Sequence, residues 1–166
     1  DSYVYAILIS DGTLYAAGSF QIIDHVAANA VAKWNGSSWS AMPGLKTTST
    51  VYSLAENGSG IIAGGDDLST SLGELLQWNG SSWVQLGGEK FTGIVYSLAT
   101  YLTDLYVAGT FTAQGNRIAK FSGNIWSTLT SGLNDVVYSV SIKEQDVFVF
   151  GTFTTAGGKN ANAVAV

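Results

Sequence analysis

The sequence has no cysteine and only one histidine, one proline and one methionine in 166 residues. Without cysteine there is no disulfide, no thiolate metal centre and no thiol nucleophile. A single imidazole, His25, cannot form a cluster of histidine ligands. Charge is scarce as well: Asp, Glu, Lys and Arg make up 11% of the chain, and 12 acidic residues against 7 basic ones give a net charge of −5. That balance excludes a nucleic-acid groove built on a basic face. Gly, Ser, Asn or a charge interrupts every apolar run before it reaches membrane-spanning length, so no membrane insertion is expected. What is abundant is apolar and hydroxylated. Hydrophobic residues supply 46%, and Ser and Thr together number 34 against 19 charged residues. This describes a packed globular chain with a hydroxyl-rich surface, a composition common in secreted proteins. The chain opens at Asp1 with no Met and no signal-like segment, so a processed or partial chain is expected.

Internal repetition organises the sequence. Val-Tyr recurs as Val4-Tyr5, Val51-Tyr52, Val95-Tyr96 and Val137-Tyr138, at intervals of 47, 44 and 42 residues. Fourteen residues after each Val stands a glycine: Gly18, Gly65, Gly109 and Gly151. Hydroxyl-Phe follows three of them, as Ser19-Phe20, Thr110-Phe111 and Thr152-Phe153. An aromatic pair five residues apart closes three repeats: Trp34 and Trp39, Trp78 and Trp83, Phe121 and Trp126.

Each repeat reads as four short strands. The first covers 4–9, 51–55, 95–100 and 137–142, and the second covers 14–17, 61–64, 105–108 and 147–150. The third runs through 30–34, 75–78 and 118–121, and the fourth begins near Trp39 or Trp83. Asp11-Gly12, Asn35-Gly36, Asn57-Gly58 and Asn79-Gly80 supply turns that favour positive φ. No segment has a capped helical period. Four antiparallel strands in each repeat of 40–50 residues are expected to form β-propeller blades. The blades are 1–50, 51–94, 95–136 and an incomplete 137–166. The Val-Tyr strands, apolar on both faces, are expected innermost, with the Val and Tyr of repeats two to four buried. The tryptophans are expected to fill the wedge between blades.

Leu105-Tyr106-Val107-Ala108-Gly109-Thr110-Phe111-Thr112, Gly151-Thr152-Phe153-Thr154-Thr155-Ala156-Gly157-Gly158 and Ala28-Asn29-Ala30-Val31-Ala32-Lys33-Trp34 carry a family resemblance. The sequence resembles secreted propeller repeats of the kind found in fungal cortical markers of cell polarity and in bacterial surface proteins. These are related in architecture to kelch and galactose-oxidase propellers. The resemblance implies a fold and an extracellular setting, and no chemistry. Repeat two departs from the pattern, with Asp66-Asp67 where hydroxyl-Phe is expected.

Few residues suggest a reactive site. His25 follows Asp24 in a long loop, but no serine at matching spacing completes a nucleophile–base pair. Asp66-Asp67 lacks the regular acidic spacing of a calcium loop and reads as a polar turn. Acidic residues are scattered one or two per repeat, without the spaced carboxylate pair of a glycosidase. No catalytic residue, metal or cofactor is therefore expected. Asn35, Asn57 and Asn79 each begin an Asn-Gly-Ser acceptor pattern for N-linked glycans. Asn-Gly is also simply the preferred hairpin turn. Asn57 lies between inner strands and is the less favourable acceptor.

The expected function is a non-enzymatic extracellular propeller that is structural, adhesive or filament-forming. The alternatives are a lectin-like glycan-binding propeller and a blade segment of a larger secreted enzyme. Residues 161–166 align with 28–33, one position short of the repeat's third-strand aromatic. The expected partners are therefore further blades or neighbouring copies, with glycans as possible ligands.

Overall fold

The computed structural model describes residues 2–113 and 115–166. It is all-β, with 52% strand and 2% helix. The first sheet combines β1 (Val4–Ser10), β2 (Thr13–Gly18), β5 (Val31–Trp34) and β6 (Trp39–Ala41); a small hairpin of β3 (Ile22–Ile23) and β4 (Val26–Ala27) projects between β2 and β5. The second contains β7 (Thr50–Glu56), β8 (Ile61–Asp66), β9 (Leu75–Trp78) and β10 (Trp83–Gln85), followed by one 3-10 turn, Leu86–Gly88. The third contains β11 (Val95–Tyr101), β12 (Asp104–Gly109), β13 (Ile118–Ser122) and β14 (Ile125–Thr128). The fourth has three strands, β15 (Val137–Lys143), β16 (Asp146–Gly151) and β19 (Val164–Ala165), with a hairpin of β17 (Thr155–Ala156) and β18 (Lys159–Asn160) at its side. All pairings are antiparallel between strands adjacent in their sheet.

The sheets stack in chain order, and their leading strands β1, β7, β11 and β15 lie beside one another. One core joins sheets one and two through Val31, Met42, Val51, Leu54 and Leu76. A second joins sheets two and three through Ile62, Leu75, Val95, Leu98 and Val107. A third joins sheets three and four through Ala108, Ile118, Val137, Val140 and Val149. The leading Val of sheets two, three and four is wholly buried against the preceding sheet. In sheet one the equivalent Val4 is 54% exposed, and Ile7, equivalent to Leu54, Leu98 and Val140, is 71% exposed. The expectation that the leading strands are covered on both faces is therefore not met at β1, against which no sheet packs on that side among the described residues.

Two devices lock neighbouring sheets together. Trp83 is buried and its Nε1–H donates to the Met42 carbonyl at 3.2 Å; Trp126 donates in the same way to Leu86 at 3.3 Å. The Ser53 hydroxyl accepts the Leu98 amide and the Ser97 hydroxyl accepts the Val140 amide, each at 3.1 Å. Tyr101 and Asp104 flank a two-residue turn, so alternation places Leu98 in a non-bonded pair with Val107. Its amide thus points off the sheet edge, where the serine of the preceding sheet satisfies it.

Repeat two keeps its second strand despite the acidic pair. Leu68, three residues after Gly65, is fully buried where the other repeats bury Phe20, Phe111 and Phe153 two residues after their glycine. Trp34, Trp39, Trp78 and Trp126 are only half-buried, so Trp83 carries the wedge role most completely. Replacing Trp83 with Ala is expected to cost about 3–5 kcal/mol in denaturant unfolding, because it opens a cavity between sheets and removes a buried donor. A loss well under that range would contradict the packing role.

Candidate functional site

The four leading strands share one irregularity. Pairing with the second strand slips between Val4 and Ala6, Val51 and Ser53, Val95 and Ser97, and Val137 and Ser139. A bulge adds an unpaired residue and re-aims its side chain. In every case that residue is the tyrosine. The partner position is the repeat's glycine: a Cβ on Gly18, Gly65, Gly109 or Gly151 would collide with the carbonyl oxygen of the residue before the leading valine. Glycine is thus required by close backbone approach.

The bulges overturn the expectation that the tyrosines are buried. Val51, Val95 and Val137 enter the core, but Tyr52 and Tyr96 are half-buried and Tyr138 is 51% exposed. The rings instead form a continuous row across the stack. Centroids are 5.4 Å apart for Tyr5 and Tyr52, 5.3 Å for Tyr52 and Tyr96, and 5.3 Å for Tyr96 and Tyr138, with interplanar angles of 43–55°. Tyr3 extends the row beyond Tyr5 at 6.0 Å. Such spacing and tilt are favourable for aromatic pairs. The row offers ring faces and phenolic hydroxyls side by side, a chemistry suited to stacking and hydrogen bonding. It was missed in the sequence although the Val-Tyr repeat itself was plain.

Burial, then the negative charge of Asp66 and then the neighbouring tyrosines hold the Tyr52 phenol above its ordinary value of 10.0. Burial, Tyr138 and Asp66 act on Tyr96 in the same direction. Burial also raises the Glu74 carboxyl, although the Leu68 amide bonded to it at 2.9 Å opposes the shift.

The other candidates lie apart from this row. His25 and Asp24 face each other at 3.6 Å and are highly exposed. Asp67 pairs with Lys46 and Thr48, and those bonds hold its carboxyl below the ordinary range. Among the described residues, no group of three or more His, Asp or Glu side chains is arranged to hold a metal, and no helix is long and apolar enough to cross a membrane.

The Asn-Gly-Ser sites differ in setting. Asn35 and Asn79 are exposed and open four-residue loops between paired aromatics. The Asn35 carboxamide oxygen accepts the Ser37 amide, the Ser37 hydroxyl and the Ser38 amide at 3.0 Å each. Asn79 repeats this with Ser81 and Ser82 at 2.9–3.1 Å. The turn is therefore made by the Asn side chain, with positive φ only at Gly36 and Gly80. Asn57 is half-buried, and its oxygen accepts both the Ser59 amide at 3.1 Å and the Gln77 side chain at 3.2 Å.

No family model matches the chain, and no curated protein matches it.

The raised phenols give a pH prediction. A folded-state value above the unfolded one contributes stability that is complete below the unfolded value and is lost as pH rises through the folded value. Unfolding midpoints should therefore fall once pH exceeds 10.0, the ordinary tyrosine value. Absorbance titration should show Tyr52 and Tyr96 ionising later than free tyrosine. In the Tyr52→Phe, Tyr96→Phe double variant the late phase should lose the amplitude of two phenols; an undiminished late phase would contradict the assignment.

Proposed function

We propose that the chain is a run of β-propeller blades without a catalytic centre, acting as an extracellular structural or adhesive module that assembles through its sheet faces. One observation carries the reading: repeat positions buried in sheets two to four, the leading valine and the residue three places on, stand in solvent at Val4 and Ile7 of sheet one. A face built for burial and left bare marks a contact surface, for a further blade of the same polypeptide or for a neighbouring copy. Phe150 and Val164 on sheet four are also exposed, at the other end of the stack. Contacts that join one end of a stack to the other are head-to-tail and generate rings or filaments. The extracellular setting is supported by the hydroxyl-rich composition and by the repeat resemblance.

A second reading, glycan binding, is favoured by the tyrosine row. Its exposed members Tyr3, Tyr5 and Tyr138 offer flat apolar faces beside hydroxyls. A glycan array separates the readings. Saturable binding lost in Tyr5→Ala and Tyr138→Ala variants would favour the lectin reading.

Sedimentation tests the assembly reading. The chain should self-associate at micromolar concentration, and Ile7→Glu should suppress this without changing the far-ultraviolet spectrum, because Ile7 is exposed. A single-chain species at all concentrations would overturn it. On production through a eukaryotic secretory pathway, mass spectrometry should find glycans on Asn35 and Asn79 and little or none on Asn57. Three bare sites would refute the glycan assignment.

A further inference from the structure

The second repeat places a carboxylate beside the tyrosine row. The residue after the repeat glycine is a hydroxyl in three repeats, Ser19, Thr110 and Thr152, and Asp66 in the second. Backbone contacts fix this position at the tyrosine end of each sheet. The amides of Ser19, Thr110 and Thr152 donate to the carbonyl just before the leading valine at 2.9–3.0 Å, and Asp66 pairs with Thr50. Asp66 is half-buried, and its negative charge acts on both Tyr52 and Tyr96.

The adjacent Asp67 is matched by Lys46. Asp66 is not matched: among the described residues no cation and no hydrogen-bond donor meets its carboxylate, whose oxygens stay in contact with solvent. Elsewhere the chain fills the same combination of ring and carboxylate from within. Lys120 stands 5.6 Å from the centre of the Tyr106 ring and pairs with Asp104 at 2.6 Å. Beside Asp66 the rings and the carboxylate are present, and among the described residues no lysine or arginine stands over the row.

We infer that the middle of the row is a binding site for an alkylated ammonium ion, held against the Tyr52 and Tyr96 rings with Asp66 as its counter-ion. The two ring centroids are 5.3 Å apart and the planes are inclined at 53°. A methylated ammonium is compact and weakly hydrated, so it touches both inclined rings at once and gives up little water. A guanidinium is planar and stacks on one face only. A metal ion needs several oxygen ligands, and among the described residues no such group of side chains is gathered. The ligand is a solute and not a phospholipid headgroup, because a phosphate beside the ammonium would approach Asp66 on a chain of net charge −5. The site belongs to the half-buried centre of the row and stands whether or not the sheets associate or the exposed tyrosines bind glycans.

The test titrates the 166-residue chain with choline chloride against a sodium chloride blank, followed by proton NMR. The choline methyl signal should move upfield as the rings shield it, and the ring signals of Tyr52 and Tyr96 should shift saturably. The neutral isostere, with a tert-butyl group in place of trimethylammonium, should bind at least about tenfold more weakly. Asp66→Asn should weaken choline binding at least about threefold and leave the far-ultraviolet spectrum unchanged. Phosphatidylcholine vesicles should not sediment the chain. The isostere comparison uses the unmodified chain and decides the matter even where the variant misfolds. No saturable shift, shifts confined to other tyrosines, equal binding of the isostere, undiminished binding by a folded Asp66→Asn, or sedimentation with the vesicles would each overturn the site.

Discussion

The structure depends on one recurring contact: the apolar side chains of a leading strand, pressed against the back of the sheet before it. Val51 with Leu54, Val95 with Leu98, and Val137 with Val140 make this contact three times in succession. Full burial of each such side chain is worth about 1.5–3 kcal/mol, and a single repeat unit cannot bury its hydrophobic face by itself. The other repeated residues serve the approach of one sheet to the next. Glycine lets the second strand lie against the carbonyl ahead of the leading valine. Serine satisfies an edge amide that would otherwise be sealed without a partner. Tryptophan fills the widening gap and ties its N–H to the earlier sheet.

The bulge reconciles two demands on adjacent residues. A regular strand would send Val and Tyr to opposite faces, each toward a neighbouring sheet. The extra residue removes tyrosine from that alternation, so the small Ala6, Ser53, Ser97 and Ser139 return to the ladder while the rings gather in a row. The row therefore follows from the packing rule and gives the stack one chemically distinct line of aromatic hydroxyls. The same rule leaves valine and isoleucine bare at β1, against which no sheet packs on that side among the described residues.

Strand positions were legible in the sequence because turn residues and the Val-Tyr, Gly and Trp anchors recur in fixed order. Leading strands, second strands and the aromatic hairpins stand close to where those anchors place them. The tyrosine burial was misread because a bulge leaves no composition signal beyond the glycine fourteen residues on. Leu68 as the substitute for phenylalanine was hidden by a one-residue offset after Asp66-Asp67. The unequal setting of Asn35, Asn79 and Asn57 was partly legible, since Asn57 falls between leading and second strands and the others at outer hairpins.

Native-state hydrogen exchange tests the central claim most directly, because it reads the edge amides on which the stacking contact acts. Leu98 and Val140 have amides pointing off the ladder and held by the serine of the preceding sheet, whereas the Ile7 amide occupies the same position on a strand that meets no such serine among the described residues. In the single-chain state, Leu98 and Val140 should exchange only with global unfolding, and Ile7 should exchange orders of magnitude faster. Equal, rapid exchange at all three amides would show that the sheets do not clasp one another, and would contradict the account.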